Sequence, residues 1–373
     1  MNMSHHAFSS MTQFLITVVI AIIGGAVFDL LHIPVPWLLG PMIAMVIGTN
    51  VLNYQQFIWH SSLRNIGLMI VGYTIGLSMT ATALQNMAKQ IPFMLIMTII
   101  LILLGSVIAF IISKISATDY QTTFLASIPG GLSQILILAE ETKGINFAIV
   151  AVTQIIRIMI IVITMPLVVM LPMFREPGAE QTSDLVLQQH ATSVSLFPNL
   201  IPFVIVSIVA TYIGKKIKLP TRHLLAPIIG TAILLFFIQG PELPPLMINA
   251  AQLMIGVHVG LLLRTKDLPG KMRTLTLAVI SGTLLVAGSI ILSFILTKFQ
   301  PLSSATSLLS LAPGGQDQMG IIAHEVNADL SIVAGYQFFR TIFIYIAVPP
   351  LLHFIFKDRN QNKQKQEKQD TSQ

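Results

Sequence analysis

Two Pro-Gly-Gly triplets, Pro129, Gly130 and Gly131, and Pro313, Gly314 and Gly315, sit inside otherwise apolar stretches. Proline removes a backbone donor, and the glycines permit conformations closed to other residues, so each triplet should interrupt a helix. A helix restarting after Gly131 or Gly315 presents unpaired N–H groups and a positive dipole end. Those features suit an anion, including a carboxylate. The same triplets could instead serve only as tight turns that let helices pack closely. Ser133 and Gln134 follow the first triplet, and Asp317 and Gln318 follow the second. Placed in the first turn, these hydroxyl, amide and carboxylate groups could bind a solute or a coupling cation. Ser133 and Asp317 could also cap the restarted helix. Asp317 has no carboxylate counterpart in the other half, so an ion role there would be asymmetric.

Ionisable groups at membrane depth are costly and are functional candidates by default. Glu140 and Glu141, and His324 and Glu325, close the two interrupted segments, and both halves keep the second glutamate. Arg157 and Arg340 lie deeper, each about ten residues into a long apolar stretch. Facing lipid would cost roughly 2.5–3.5 kcal/mol even on the lenient insertion scale, so they must face protein or water. Gln154 and Gln337 precede them by three residues, on the same helical face. Two roles are open for the arginines: binding or gating an anion, or an internal ion pair with Glu141 or Glu325. Gly72 and Gly76, and Gly256 and Gly260, form small-xxx-small pairs that predict close helix packing.

The elements that must position these residues are transmembrane. The 373 residues are 54% hydrophobic and only 10% charged, with mean hydropathy +0.80. A soluble domain carries about 25% charged residues. Ten apolar spans are predicted, at residues 14–31, 37–52, 66–84, 91–113, 147–174, 200–217, 224–238, 246–263, 275–297 and 330–356. The first has no basic n-region or small-x-small cleavage site, and reads as a retained span. Segments 120–141 and 304–325 either cross or dip in and return. Basic residues decide between these: with ten crossings and a cytoplasmic N-terminus, sixteen of the 21 Lys and Arg face the cytoplasm, whereas twelve crossings leave no bias. The Pro-Gly-Gly segments are therefore expected to be re-entrant.

The chain is also duplicated. Residues 129–141 match residues 313–325 at seven of thirteen positions, and Gln154-x-x-Arg157 returns as Gln337-x-x-Arg340. Pro34 with Leu38, Leu39 and Pro41 returns as Pro220 with Leu224, Leu225 and Pro227. Five spans per half would invert the second half relative to the first. Inverted repeats with paired Gly/Pro breaks are a transporter signature, with the site at the repeat interface. The expected fold is an all-α polytopic membrane protein of about ten transmembrane helices in two inverted five-helix repeats, each with a broken re-entrant segment. Its parts are a first repeat at 1–174, an extracytoplasmic linker at 175–198, a second repeat at 199–356 and a disordered cytoplasmic tail at 357–373.

Several functions are not expected. Without cysteine there is no disulfide, iron–sulfur cluster or thiolate metal site. The nine histidines show neither His-x-His nor His-x-x-x-His spacing. No metal, cofactor or enzymatic nucleophile–base pair is expected. The net charge of +6 sits in short loops and the tail, as the positive-inside rule predicts, and does not point to nucleic acid.

The repeated Pro-Gly-Gly…Gln…Ala-x-Glu, the Gln-x-x-Arg and the Pro…Leu-Leu-Gly/Ala-Pro element resemble the AbrB membrane-protein family over about residues 14–356. Its members are variously labelled ammonia monooxygenases or regulators of gene expression, and are distinct from the soluble DNA-binding protein of the same name. The resemblance implies a multi-pass protein of the bacterial inner membrane, and brings no catalytic residues with it. Scattered histidines argue against a monooxygenase, which needs clustered metal ligands. The expected function is a secondary transporter or exporter of a small, anionic solute, coupled to H⁺ or Na⁺. Its expected partners are the bilayer, the solute and ion, and a second copy in a homo-oligomer, with both termini cytoplasmic. The alternative is a membrane-embedded regulator that affects gene expression indirectly.

Overall fold

A computed structural model of the chain describes residues 10–50, 57–116, 118–142, 144–174, 196–262 and 271–370, without the side chains of 133, 134, 196, 197, 271, 272 and 352–370. The described residues form fourteen helices and no strand. The first seven are α1 (Ser10–Leu30), α2 (Pro36–Asn50), α3 (Ser61–Leu77), α4 (Ala81–Ser116), α5 (Tyr120–Ser127), α6 (Leu132–Glu141) and α7 (Phe147–Val169). The second seven are α8 (Leu196–Lys216), α9 (Arg222–Leu234), α10 (Pro245–Leu262), α11 (Lys271–Phe299), α12 (Ser304–Leu311), α13 (Gln316–Glu325) and α14 (Leu330–Asp370).

Seven of these, α1, α4, α7, α8, α10, α11 and α14, are long and apolar enough to cross a membrane. The chain is thus an all-helical, polytopic membrane protein. The other three predicted spans correspond to α2, α3 and α9, which are shorter, at 15, 17 and 13 residues. The loop expected at residues 85–90 lies instead at 78–80, and Lys89 belongs to α4. Short polar side chains make the break there. Ser78 Oγ donates to the Ile75 carbonyl at 2.7 Å, ending α3, and Thr80 Oγ1 accepts from the Ala83 N–H at 3.2 Å, starting α4. The backbone of α14 is helical to Asp370. Lys, Gln and Glu are good helix formers and do not stop a helix that the span has begun. Most of the expected linker, residues 175–195, lies outside the described residues.

The helices sort into two bundles. One is a frame of α1–α3 and α8–α10, in which α2 packs on α10 and α3 on α9. The other holds α4–α7 and α11–α14, in which α7 packs on α11 and α14 on α4. Among the described residues, each helix pairing within one half has a counterpart in the other. The bundles meet where α3 touches α13 and α14, and where α10 touches α7. One apolar cluster crosses this boundary, joining Leu38, Leu68, Val71 and Ile255 to Ile158, Ile161 and Met319.

Glycines set the closeness of the frame. A Cβ on Gly72 of α3 would stand 2.5 Å from the Leu224 carbonyl oxygen of α9. A Cβ on Gly256 of α10 would collide with the carbonyl of Leu38 on α2. The small-xxx-small pairs are therefore packing surfaces. The turns entering α2 and α9 also share a conformation: His32 and Val35, like Lys218 and Thr221, hold positive φ around Pro34 and Pro220.

Candidate functional site

Helix α5 ends at Ser127 and α6 begins at Leu132, while α12 ends at Leu311 and α13 begins at Gln316. The triplets occupy the gaps, so both interrupt a helix. Each interruption strands carbonyls at the end of the incoming helix, and buried carbonyls need protein partners. The glutamines and arginines supply them. Gln154 Nε2 donates to the carbonyls of Leu125, Ala126 and Ile128 at 3.1, 3.1 and 3.3 Å. Arg157 donates to Ile128 at 2.6 Å and to Gly130 at 3.1 Å. In the other half, Gln337 Nε2 donates to Leu309, Ser310 and Ala312 at 2.7, 3.5 and 3.1 Å. Arg340 donates to Ala312 at 2.9 Å and to Gly314 at 3.1 Å, and also to Gln337 Oε1. All four side chains are buried.

Neither arginine therefore pairs with a glutamate. Glu141 and Glu325 are exposed at the far ends of α6 and α13, as are Glu140 and His324. Both guanidinium groups stand behind the breaks, and among the described residues their partners are carbonyls and, for Arg340, Gln337, with no carboxylate.

The breaks also meet the opposite half symmetrically. A Cβ on Gly130 would stand 3.3 Å from Ile344 of α14, and one on Gly314 would stand 3.0 Å from Ile161 of α7. Both breaks line one cavity of about 290 Å³ between the two bundles. From the second bundle it receives Pro129, Gly130, Gly131, Gly314, Gly315, Gln316, Asp317 and Gln318. From the frame it receives Arg64, Leu68, Thr221, Leu224, His258 and Leu262. Pro313 is buried beside the second break. The side chains of Ser133 and Gln134 lie outside the described residues, so their predicted roles have no structural description.

Polar groups in the cavity wall are left partly open. Gln318 is buried, with Nε2 donating to Asp317 Oδ2 at 2.9 Å and Oε1 without a partner. Gln316 Oε1 and Thr221 Oγ1 also lack partners. Thr221 holds φ 45, a left-handed conformation costly for a β-branched residue and of a kind that gathers at functional sites. Arg64 lies within electrostatic reach of both Asp317 and His258.

Arg64, Thr221, His258 and Gln316 were not among the residues singled out from sequence. The span expected to begin at residue 66 leaves Arg64 outside it, whereas Arg64 belongs to the first turn of α3. A signal existed: Arg64 stands at four-residue steps from Leu68, Gly72 and Gly76, which puts it on the helix face that packs. His258, between Gly256 and Gly260, had no comparable signal.

Comparison with known proteins places these helices among relatives. A family model described as "Transition state regulatory protein AbrB" matches residues 37–356, the span that holds both breaks and both arginines. The chain is similar to "Uncharacterized protein YhjN" of Bacillus subtilis (strain 168), at 25% identity over 367 residues, covering 93% of this chain and 94% of that protein. It is also similar to "Putative regulator AbrB" of Escherichia coli (strain K12), at 26% identity over 337 residues, covering 88% and 92%.

Proposed function

The chain belongs to the AbrB family, and from its cavity we propose that it is a secondary transporter or exporter of a small anionic solute. The observation that carries this reading is the single cavity where two Pro-Gly-Gly breaks meet between two bundles. The breaks present the N-terminal ends of α6 and α13, whose dipoles favour negative charge. Arg64 supplies a cation at the wall, and Arg157 and Arg340 add positive potential from behind. Rocking or sliding of one bundle against the other would expose the cavity alternately to each side of the membrane. The apolar cluster crossing the boundary suits such movement, because dispersion contacts have no fixed register.

In this reading the two halves are inverted repeats. Ten crossings place both termini in the cytoplasm of a bacterial inner membrane, and α5–α6 and α12–α13 enter from opposite sides. The cavity wall formed by Arg64, Thr221 and Leu262 then lies toward the cytoplasm. No enzymatic step, cofactor or direct nucleic-acid contact is part of the proposal.

The test is tracer uptake of acetate, succinate and inorganic phosphate into proteoliposomes holding the full chain. Uptake of at least one of them above protein-free vesicles, lost in Arg64→Gln, is the expected result. If none is taken up, or if Arg64→Gln transports normally, the anion-transport reading fails.

The name of the Escherichia coli relative favours a second reading, a membrane-embedded regulator. A regulator signalling through its tail would lose its transcriptional effect when residues 357–373 are deleted, whereas a transporter would keep its flux.

A further inference from the structure

The Gln–Arg pairs that brace the two breaks are duplicated, but the ionisable residues of the cavity are not. Arg64 and His258 lie on the frame, and Asp317 lies on the second bundle. The sequence match puts Ile248, Thr74 and Ser133 at the corresponding positions of the other half. The groups that break the repeat are thus the ones that face the cavity.

We infer that Asp317 carries a coupling proton and that Arg64, facing it across the bundle boundary, seats the anion, so that one proton and one negative charge move together. This rests on the transporter reading above. Arg64 and Asp317 are within electrostatic reach, yet among the described residues no ion pair within 4.0 Å joins them. The gap leaves Arg64 available to a ligand. Asp317 is held by Gln318 Nε2, while the buried, unpartnered Gln318 Oε1 stands ready to accept from a protonated carboxyl or from a solute. Among the described side chains, the cations on the other elements packed against α13 are Arg157 on α7 and Arg340 on α14, both occupied with carbonyls. His324 and Glu325, on α13 itself, are exposed at its opposite end.

Charge balance then enforces the coupling. Empty, the pair is neutral, with Arg64 a cation and Asp317 a carboxylate. When Asp317 takes a proton, an O–H bond forms and Arg64 is left uncompensated, and an anion restores neutrality. With only one of the two ligands bound, the pair carries a net charge inside a low-dielectric boundary, which is costly to move. Only the empty and doubly loaded states reorient freely. Release reverses both steps, returning the proton and the anion to the same side. A metal cation fits this position poorly, because Arg64 repels it whereas a proton is bound covalently.

The experiment uses proteoliposomes with the full chain and labelled acetate, succinate and inorganic phosphate. The wild type should accumulate the transported anion when the interior is made alkaline. In Asp317→Asn the loaded pair is still neutral but the empty one is charged. Net accumulation should therefore be lost while exchange of internal for external anion persists. Arg64→Gln should lose both. Retained proton-driven accumulation in Asp317→Asn overturns the inference while leaving transport itself intact. Absence of movement for all three anions in the wild type overturns both readings. If Asp317→Asn is inert in exchange as well, Asp317→Glu must restore coupled uptake, and its failure to do so overturns the inference.

Discussion

Replacing Arg157 by leucine would strand the Gly130 carbonyl in a water-poor interior and leave Ile128 to Gln154 alone. An unsatisfied group costs about 1–3 kcal/mol, so Arg157→Leu and Arg340→Leu, the latter baring the Gly314 carbonyl, should each destabilise the protein by about 1–3 kcal/mol. Thermal unfolding in detergent, read by loss of monodisperse protein, measures this. Because the partners are carbonyls, Glu141→Gln and Glu325→Gln should leave stability within about 0.5 kcal/mol of the parent. A glutamate substitution as damaging as Arg157→Leu would restore the ion-pair alternative. Residue type and spacing made Gln154, Arg157, Gln337 and Arg340 legible as buried and important. Their partners were not legible, because where a broken helix points its last carbonyls depends on how α5 docks on α7. Arg64 was hidden for a related reason: two residues before an apolar run, a basic residue reads as loop until the packing of α3 on α9 turns it toward the centre.

The close crossings of α3 on α9 and of α2 on α10 set the next scale. Gly72→Val would push a branched side chain into the Leu224 carbonyl, and the neighbour there is backbone that cannot swing away. Overpacking of this kind costs about 1–3 kcal/mol, read as a lowered midpoint of thermal unfolding, and Gly256→Val should behave alike against Leu38. The turn before α9 offers the opposite sign. Thr221 pays for its left-handed backbone, and asparagine tolerates that region better. Thr221→Asn should therefore raise stability by up to about 1 kcal/mol, and a lower midpoint would show that the threonine hydroxyl contributes more than its strain costs. Helix breaks at Pro-Gly-Gly were readable because proline and glycine act locally. The α3–α4 boundary was misplaced because Ser78 and Thr80 sit among apolar neighbours, and only their bonds to Ile75 and Ala83 show that the chain turns there.

For the whole molecule, the central question is whether the halves are upside down relative to each other. Glu141 and Glu325 are equivalent, exposed and distant from the cavity, and the chain has no cysteine of its own. Single cysteines at these two positions should react with an impermeant reagent from opposite sides of the membrane. Reaction from the same side would end the inverted arrangement. The duplication was legible from ordered Pro, Gly, Gln and Arg matches, but the division into a frame and a second bundle was not, since it pairs α2 with α10 and α4 with α14 across the whole chain. The braces have a further consequence for biosynthesis. All donors and acceptors of the first brace lie between Leu125 and Arg157, and all those of the second between Leu309 and Arg340. The contact of the first break with Ile344, by contrast, must wait until nearly the whole chain has been made. A ribosome can therefore deliver the first broken helix into the bilayer with its bare carbonyls already covered, long before the segment it will finally face has left the exit tunnel.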